Sequence, residues 1–360
     1  MKWSFRVGRI AGIEVRLHVT FLLFVVWVAI SQGLLTGQVG QAIAGVVVLL
    51  LIFGCVLLHE LGHALAARRY GIRTRDIVLL PIGGVARLQR MPDKPLQEIV
   101  VAIAGPMVNV LIVGILLALM RGFGQLPDPR TLRMGPVETL LWVNMMMVAF
   151  NLIPAFPMDG GRVLRALLAL RLPYLRATRI AATVGQGLSL LFGIVGLFAN
   201  LPMLLFVALF VFLAAGEEHA LVEARASMSG LPVSAAMVTE FATVDVHDPL
   251  QRAVDLLMAG SQQDFPVLET GLPVGVLSRA ELIVALQRSG AGTAVGEVVR
   301  RDGQMAEPNE PLELVFQRMR EHRHSALPVV SQGRLVGLIT SENVSELLLV
   351  QDALRRHAGS

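Results

Sequence analysis

The 360-residue chain has one cysteine, Cys55, so it holds no intrachain disulfide framework, and cysteine usage leaves its redox compartment open. Charge is scarce as well. Asp, Glu, Lys and Arg make up 16% of the residues while 54% are hydrophobic, which excludes an ordinary soluble globular protein of this size. Acidic residues are rarest where apolar runs are longest. Residues 1–216 hold 8 Asp/Glu against 19 Lys/Arg, a net of +11, whereas residues 217–360 hold 19 against 12, a net of −7. The pI of 9.9 therefore does not mark a nucleic-acid partner. The soluble-looking half is acidic, and the basic residues flank apolar runs as the positive-inside rule expects. What remains is a polytopic protein of the lipid bilayer.

Six apolar segments approach or exceed the ~20 residues that cross a bilayer: 17–35, 42–67, 98–120, 136–156, 181–198 and 202–217. The first has a basic flank like a signal peptide, but Ser31–Leu35 offers no A-x-A cleavage site, so it reads as a retained span. Ala199–Pro202 separates the last two, as a tight helical hairpin or as the bend of one long segment. The N-terminus, the stretch Arg68–Lys94 and the stretch Arg162–Arg179 hold 16 of the 19 basic residues, and Arg121, Arg130 and Arg133 share the opposite side. Six spans with both termini cytosolic satisfy these counts.

Within the second segment lies His59-Glu60-Leu61-Gly62-His63. Two histidines at i and i+4 share a helix face and can grip one metal ion, and the glutamate beside them suits activation of a metal-bound water. The segment runs from outside to inside and ends at Arg68-Arg69, which puts the pair roughly 8–14 Å above that end. Cys55, one turn earlier, reads as a small residue packed between helices. A catalytic zinc site usually has a third protein ligand. Asp76, Glu98 and most other acids of this half fall in loops or at segment ends, where water can solvate them. Asp159 differs. It lies in the run Asn151-Leu152-Ile153-Pro154-Ala155-Phe156-Pro157-Met158-Asp159-Gly160-Gly161, where two prolines break the helix. Non-helical backbone at membrane depth must be buried or line a wet cavity, so a carboxylate there is a functional candidate. Its plainer role is an N-cap for the following helix, partnered by Arg162 or Arg165.

These motifs, with Pro81-Ile82-Gly83-Gly84-Val85-Ala86-Arg87 and Ala104-Gly105-Pro106…Asn109, resemble the site-2 protease family of intramembrane metalloproteases over about 1–217. The resemblance implies His59, His63 and Asp159 as ligands of one Zn2+ per chain, Glu60 as general base, and Asn151 as the asparagine that holds substrate or the oxyanion. Asn109 reads as an interhelical hydrogen-bonding residue rather than a ligand. The apolar stretch 77–88, with its break at Pro81, Gly83 and Gly84, reads as a membrane-associated β-hairpin whose edge could present an unwound substrate.

After Leu221 the pattern changes to short apolar clusters that repeat at an offset of 62 residues. Asp248-Pro249-Leu250 matches Glu310-Pro311-Leu312, Phe265-Pro266-Val267 matches Leu327-Pro328-Val329, and Gly275–Ser278 matches Gly337–Thr340. Each unit reads strand, helix, strand, strand, helix. The pair resembles tandem CBS motifs, the cystathionine-β-synthase-type regulatory module. That resemblance implies an adenine nucleotide between the repeats, contacted by a Ser/Thr and an Asp three residues later. Here Ser278 is followed by Glu281 and Thr340 by Asn343, so neither repeat keeps the Asp. Nucleotide binding at Ser278, Glu281, Thr340 and Asn343 and a plain dimerisation or docking module stand with equal weight.

The expected architecture is a polytopic all-α membrane domain of about six helices with a membrane-associated β-hairpin, then an α/β tandem CBS pair. The boundaries are 1–217 for the protease domain, 218–230 for a linker, 231–290 and 291–350 for the repeats and 351–360 for a tail. The function implied is zinc-dependent cleavage of transmembrane protein substrates under CBS control, in a cell-membrane protein that could form homodimers through the CBS pair. A CBS-gated transporter or channel is the alternative, with Asp159 as a pathway residue; inverted repeats that would favour it are not visible.

Overall fold

The computed structural model describes residues 3–34, 37–89, 92, 94–122, 135–301 and 303–358. They form two compact units, Met1–Ala220 and Leu221–Ser360.

The first unit opens with β1 (Ser4–Ile10) and β2 (Ile13–His18). Ala11 and Gly12 between them both have positive φ, the backbone of a two-residue hairpin turn. Next come α1 (Val19–Ala29), α2 (Val39–Arg69), β3 (Thr74–Leu80) and β4 (Gly83–Leu88). β2 pairs in parallel with β3, giving one sheet in the order β1-β2-β3-β4. Ile13, Ile77 and Leu79 of the sheet pack on Phe21 of α1 and on Leu49, Phe53, Leu61 and Ala64 of α2. The expected hairpin over 77–88 is thus half of a four-stranded sheet, and this unit is not all-α. Arg6 and Arg9 alternate with Phe5, Val7 and Ile10 along β1, a pattern that also serves as the basic flank of a membrane span.

The unit continues with α3 (Pro95–Gly122), α4 (Pro136–Asn151), α5 (Asp159–Ala169), α6 (Tyr174–Phe198) and the larger part of α7 (Pro202–Met228). Among the described residues four helices, α2, α3, α6 and α7, are long and apolar enough to cross a membrane, with 31, 28, 25 and 27 residues. The other two expected spans come out shorter. α1 has 11 residues before a π-helical turn at Ile30–Leu34, and α4 has 16. Sixteen residues rise about 24 Å, short of the roughly 30 Å hydrocarbon core, so the count of six is not confirmed. A break at Ala199–Leu201 makes α6 and α7 a helical hairpin. Arg130 and Arg133, used in the orientation argument, lie outside the described residues.

The second unit contains β5 (Val244–Asp245), α8 (Leu250–Ala259), β6 (Asp264–Glu269), β7 (Leu272–Ser278), α9 (Arg279–Ser289), α10 (Leu312–His322), β8 (Ala326–Ser331), β9 (Arg334–Thr340) and α11 (Ser341–Ala358). The 62-residue offset survives in detail. β6 and β7 match β8 and β9, the positive-φ turn at Thr270-Gly271 matches Gln332-Gly333, and the register shift at Val267/Leu268 matches that at Val329/Val330. The second counterpart of β5 shrinks to a single parallel bridge, Ala306 to Val329. The repeats also exchange their leading segments. Val233 N–H donates to Glu310 O, and Met228, Val233 and Ala236 join the core of Leu312, Val315, Met319 and Ile339. Val295 N–H donates to Asp248 O, and Val295 joins Leu250, Phe265 and Leu277.

Candidate metal centre

α2 carries His59 and His63 on its buried face, and α5 brings Asp159 to them as its first residue. The three side chains are 4%, 6% and 6% exposed, so the group they form is shielded from bulk water. His59 Nε2 lies 3.1 Å from His63 Nε2, and Asp159 Oδ2 lies 3.4 and 3.1 Å from the two. Each imidazole is oriented from behind by α3. His59 Nδ1 is 2.6 Å from Asn109 Oδ1, and His63 Nδ1 is 2.7 Å from Val101 O. Asn109 Nδ2 donates to Asn144 Oδ1 at 2.7 Å, which leaves Asn109 Oδ1 as acceptor, and Asn144 Nδ2 donates to Leu140 O. Both Nδ1 atoms then carry protons, and in the neutral imidazoles both Nε2 atoms present lone pairs.

With both imidazoles neutral, two lone pairs and a carboxylate oxygen converge on one point. Asp159 Oδ2 is buried without a hydrogen-bond partner among the described residues. That arrangement is repulsive unless a cation sits between the atoms. Tetrahedral zinc, with bonds of about 2.0–2.2 Å, separates its ligand atoms by roughly 3.3 Å. The observed 3.1–3.4 Å spacings fit such an ion. The same three residues form the only His/Cys/Asp/Glu group of metal-binding geometry among the described residues; Cys55 takes no part.

Glycines make this packing possible. A Cβ at Gly105 would stand 2.6 Å from His63 Cε1, and one at Gly62 would stand 2.8 Å from Ala104 O of α3. A Cβ at Gly161 would meet Ala155 C and Phe156 N at 2.6 Å, so the loop before α5 rests on bare backbone. Asp159 is not the N-cap of α5, a place taken by Met158, and Arg165 does not pair with it.

Glu60 Oε2 accepts a 3.0 Å hydrogen bond from Ala86 N–H of β4. β4 is the edge strand of its sheet, so the backbone edge expected to be open is capped at Ala86 by Glu60. Gly84 lies against the same side chain, its Cβ position 2.7 Å from Glu60 Cγ, while Pro81 begins the turn between β3 and β4. Asn151 closes α4 with Nδ2 donating to Met147 O at 2.9 Å. It lines a groove with Trp142, Val143, Met146, Met147 and Phe150, and among the described residues its side chain bonds to Met147 O rather than to the His-His-Asp group.

Two acids expected to be solvated are buried instead. Asp76 pairs with Arg87 and Arg16, and Glu98 pairs with Arg165. In the second unit Ser278 and Glu281 form a capping box at the start of α9, and Glu281 also pairs with Arg300 at 3.2 Å. Both line a cleft with Arg300, Arg323, His324 and Ser325. Thr340 and Asn343 bond to each other at the start of α11 and are not among the residues lining that cleft.

The sequence profile of Peptidase family M50 matches residues 47–127 and 130–192, and that of the CBS domain matches 233–288 and 295–350. A zinc metalloprotease of Methanocaldococcus jannaschii is 36% identical over 277 residues, 77% of this chain and 78% of that protein. Rip3 of Mycobacterium tuberculosis is 30% identical over 97% of this chain and 93% of its own length. A solved site-2 protease structure from M. jannaschii is 40% identical and covers 60% of this chain and 95% of that one, with a TM-score of 0.44. The chain belongs to peptidase family M50, the site-2 type of membrane metalloprotease, and carries tandem CBS domains.

Proposed function

We propose that this protein is an intramembrane endopeptidase that hydrolyses peptide bonds in or near the transmembrane segments of its substrates. His59, His63 and Asp159 hold one zinc ion and Glu60 is the general base. The observation that carries the reading is the convergence of three ligand atoms, two imidazole nitrogens and a carboxylate oxygen, beside a glutamate that faces a sheet edge. Zinc, when bound, supplies Lewis acidity and lowers the pKa of water to about 7. Glu60 takes the proton of the attacking water and returns it to the leaving amine. A substrate helix hides its carbonyls in i→i−4 bonds and has to unwind first. The β4 edge offers replacement partners: an extended segment laid along it takes over the Ala86 N–H from Glu60 and lies next to the base. Gly83 and Gly84 keep that strip free of side chains, and Pro81 ends the preceding strand. Asn151 holds substrate or the oxyanion by turning its amide from Met147 O.

α1 and α4 accompany the four long helices in the bilayer, with both termini cytosolic, as the loop charges favour. The regulatory half follows a linker over 218–230. Adenine nucleotide binding at its cleft has the weaker support, since Glu281 already serves Ser278 and Arg300. Homodimerisation through the CBS pair remains part of the reading, testable by mass in detergent. The relatives named as zinc metalloproteases leave the transporter reading without support. Purified protein should hold zinc near one equivalent, and Glu60→Gln should keep zinc and fold while cleavage falls by about 10²–10⁴. Wild-type protein that carries zinc yet cleaves no membrane-spanning substrate would end the endopeptidase reading.

A further inference from the structure

α3 turns one stripe toward the metal centre, and several of its residues serve the histidines. Val101 O and Asn109 Oδ1 hold the imidazoles, and Gly105 leaves room for the His63 ring. Positions 98, 101, 105 and 109 recur at the i, i+3, i+7, i+11 spacing of one helix face, so Glu98 begins the same stripe. Glu98 is 2% exposed, and its Oε1 accepts from Nε of Arg165 at 2.8 Å and also from Nη2. Arg165 is fully buried on α5, the helix whose first residue is Asp159. Its Nη1 donates to Glu218 Oε1 on α7 at 2.5 Å. The guanidinium carbon lies 5.0 Å from the Phe156 ring centre and 5.1 Å from that of Tyr174. Phe156 belongs to the loop that leads into Asp159.

An arginine keeps its charge under all accessible conditions, and a buried ion pair is costly unless its geometry is tightly held. Here the geometry ties α5 to the α3 stripe that orients both histidines. α5 has only 11 residues and reaches the metal group through its first one, so any slip of the helix carries Asp159 Oδ2 with it. We propose that Arg165 is a positioning residue: paired with Glu98, it sets the register of α5 against α3 and holds the third ligand at metal-binding distance from the other two. The inference rests on the metal reading above.

The test uses full-length protein in detergent, with zinc affinity measured by competition with a chromophoric chelator and Co2+ substitution read by its visible spectrum. Arg165→Lys keeps a cation but loses the fork. Glu98→Gln/Arg165→Gln removes both charges together, so no lone buried ion unfolds the protein, and Glu218, with 31% of its side chain exposed, reaches water. Both variants should bind zinc roughly 10-fold to 100-fold more weakly and show an altered Co2+ spectrum. A purely structural residue would lower the melting point of metal-free protein and leave zinc affinity alone. Tight wild-type binding matched by either variant overturns this inference and leaves the metal reading standing. A wild type that takes up no zinc sinks both.

Discussion

A single methyl group added at Gly105 tests the geometry of the metal centre directly. The new Cβ would stand 2.6 Å from Cε1 and 2.7 Å from Cδ2 of His63, and closer still to Nε2. Non-bonded carbons rest at about 3.5–4.0 Å, so the overlap is roughly an ångström. The ring cannot swing aside freely, because Val101 O holds its Nδ1 at 2.7 Å from the same helix. The helices cannot part cheaply either, since Gly62 of α2 already lies against Ala104 O and Val108. His63 Nε2 must therefore leave its 3.1 Å spacing to His59 Nε2 and Asp159 Oδ2 by about the size of the overlap. Overpacking of this kind costs about 1–3 kcal/mol of stability, which a folded protein can survive. A misplacement of about 1 Å costs on the order of 10²-fold in rate. Gly105→Ala should then lose most of its zinc on dialysis against a chelator and cleave at least ~10²-fold more slowly, with its helical signal retained. Gly114→Ala on the same helix is the control, since nothing lies within 4 Å of its Cβ position. Zinc retention and cleavage equal to wild type in Gly105→Ala would refute the assignment of His63 Nε2 as a ligand.

Asn109→Ala removes the acceptor of the His59 Nδ1 proton and should weaken zinc binding about 10–100-fold, measured by chelator competition. Ala86→Pro deletes the N–H that Glu60 accepts without touching the ligands; zinc should stay and cleavage should fall, and undiminished cleavage would exclude strand pairing at this edge. Burial, reinforced by the charges of Glu281 and Glu342 and opposed by the Ser325 hydroxyl, holds the Asp264 carboxyl above its ordinary value. The folded state thus keeps this proton to higher pH than the unfolded chain. Its contribution to stability is present at low pH and is lost as pH rises from about 4 through the folded value. Asp264→Asn, which still accepts from Ser325, should melt higher than wild type at pH 7 and lose that advantage near pH 4; parallel melting curves across this range would disprove the burial effect.

The His-His-Asp group was largely legible because its parts carry sequence signals. Two histidines at helical spacing and a carboxylate after a proline-broken span are unusual in apolar sequence. What orients them was not legible. Val101 acts through its backbone carbonyl, which leaves no trace in residue type, and Asn109 could be read only as a hydrogen-bonding residue between helices. Glu98 read as solvated and Arg165 as a neighbour of Asp159, because sequence spacing cannot tell an arginine which acid it will meet 67 positions away. β1 was hidden by its arginines, which suit a membrane flank as well as an alternating strand. In the CBS half the 62-residue period predicted the matching strands and turns, but not the exchange of leading segments, since the two repeats are too alike for pattern to assign each segment to a partner.

That exchange decides how the regulatory half can be lost. A stop codon near residue 290 would delete Val295, which closes the first core, and would strand Val233 and Ala236 without the second core they fill. Each repeat is finished by a piece of sequence belonging to the other. Deletion can spare the whole pair or abolish it, and half a pair should not survive as a folded remnant.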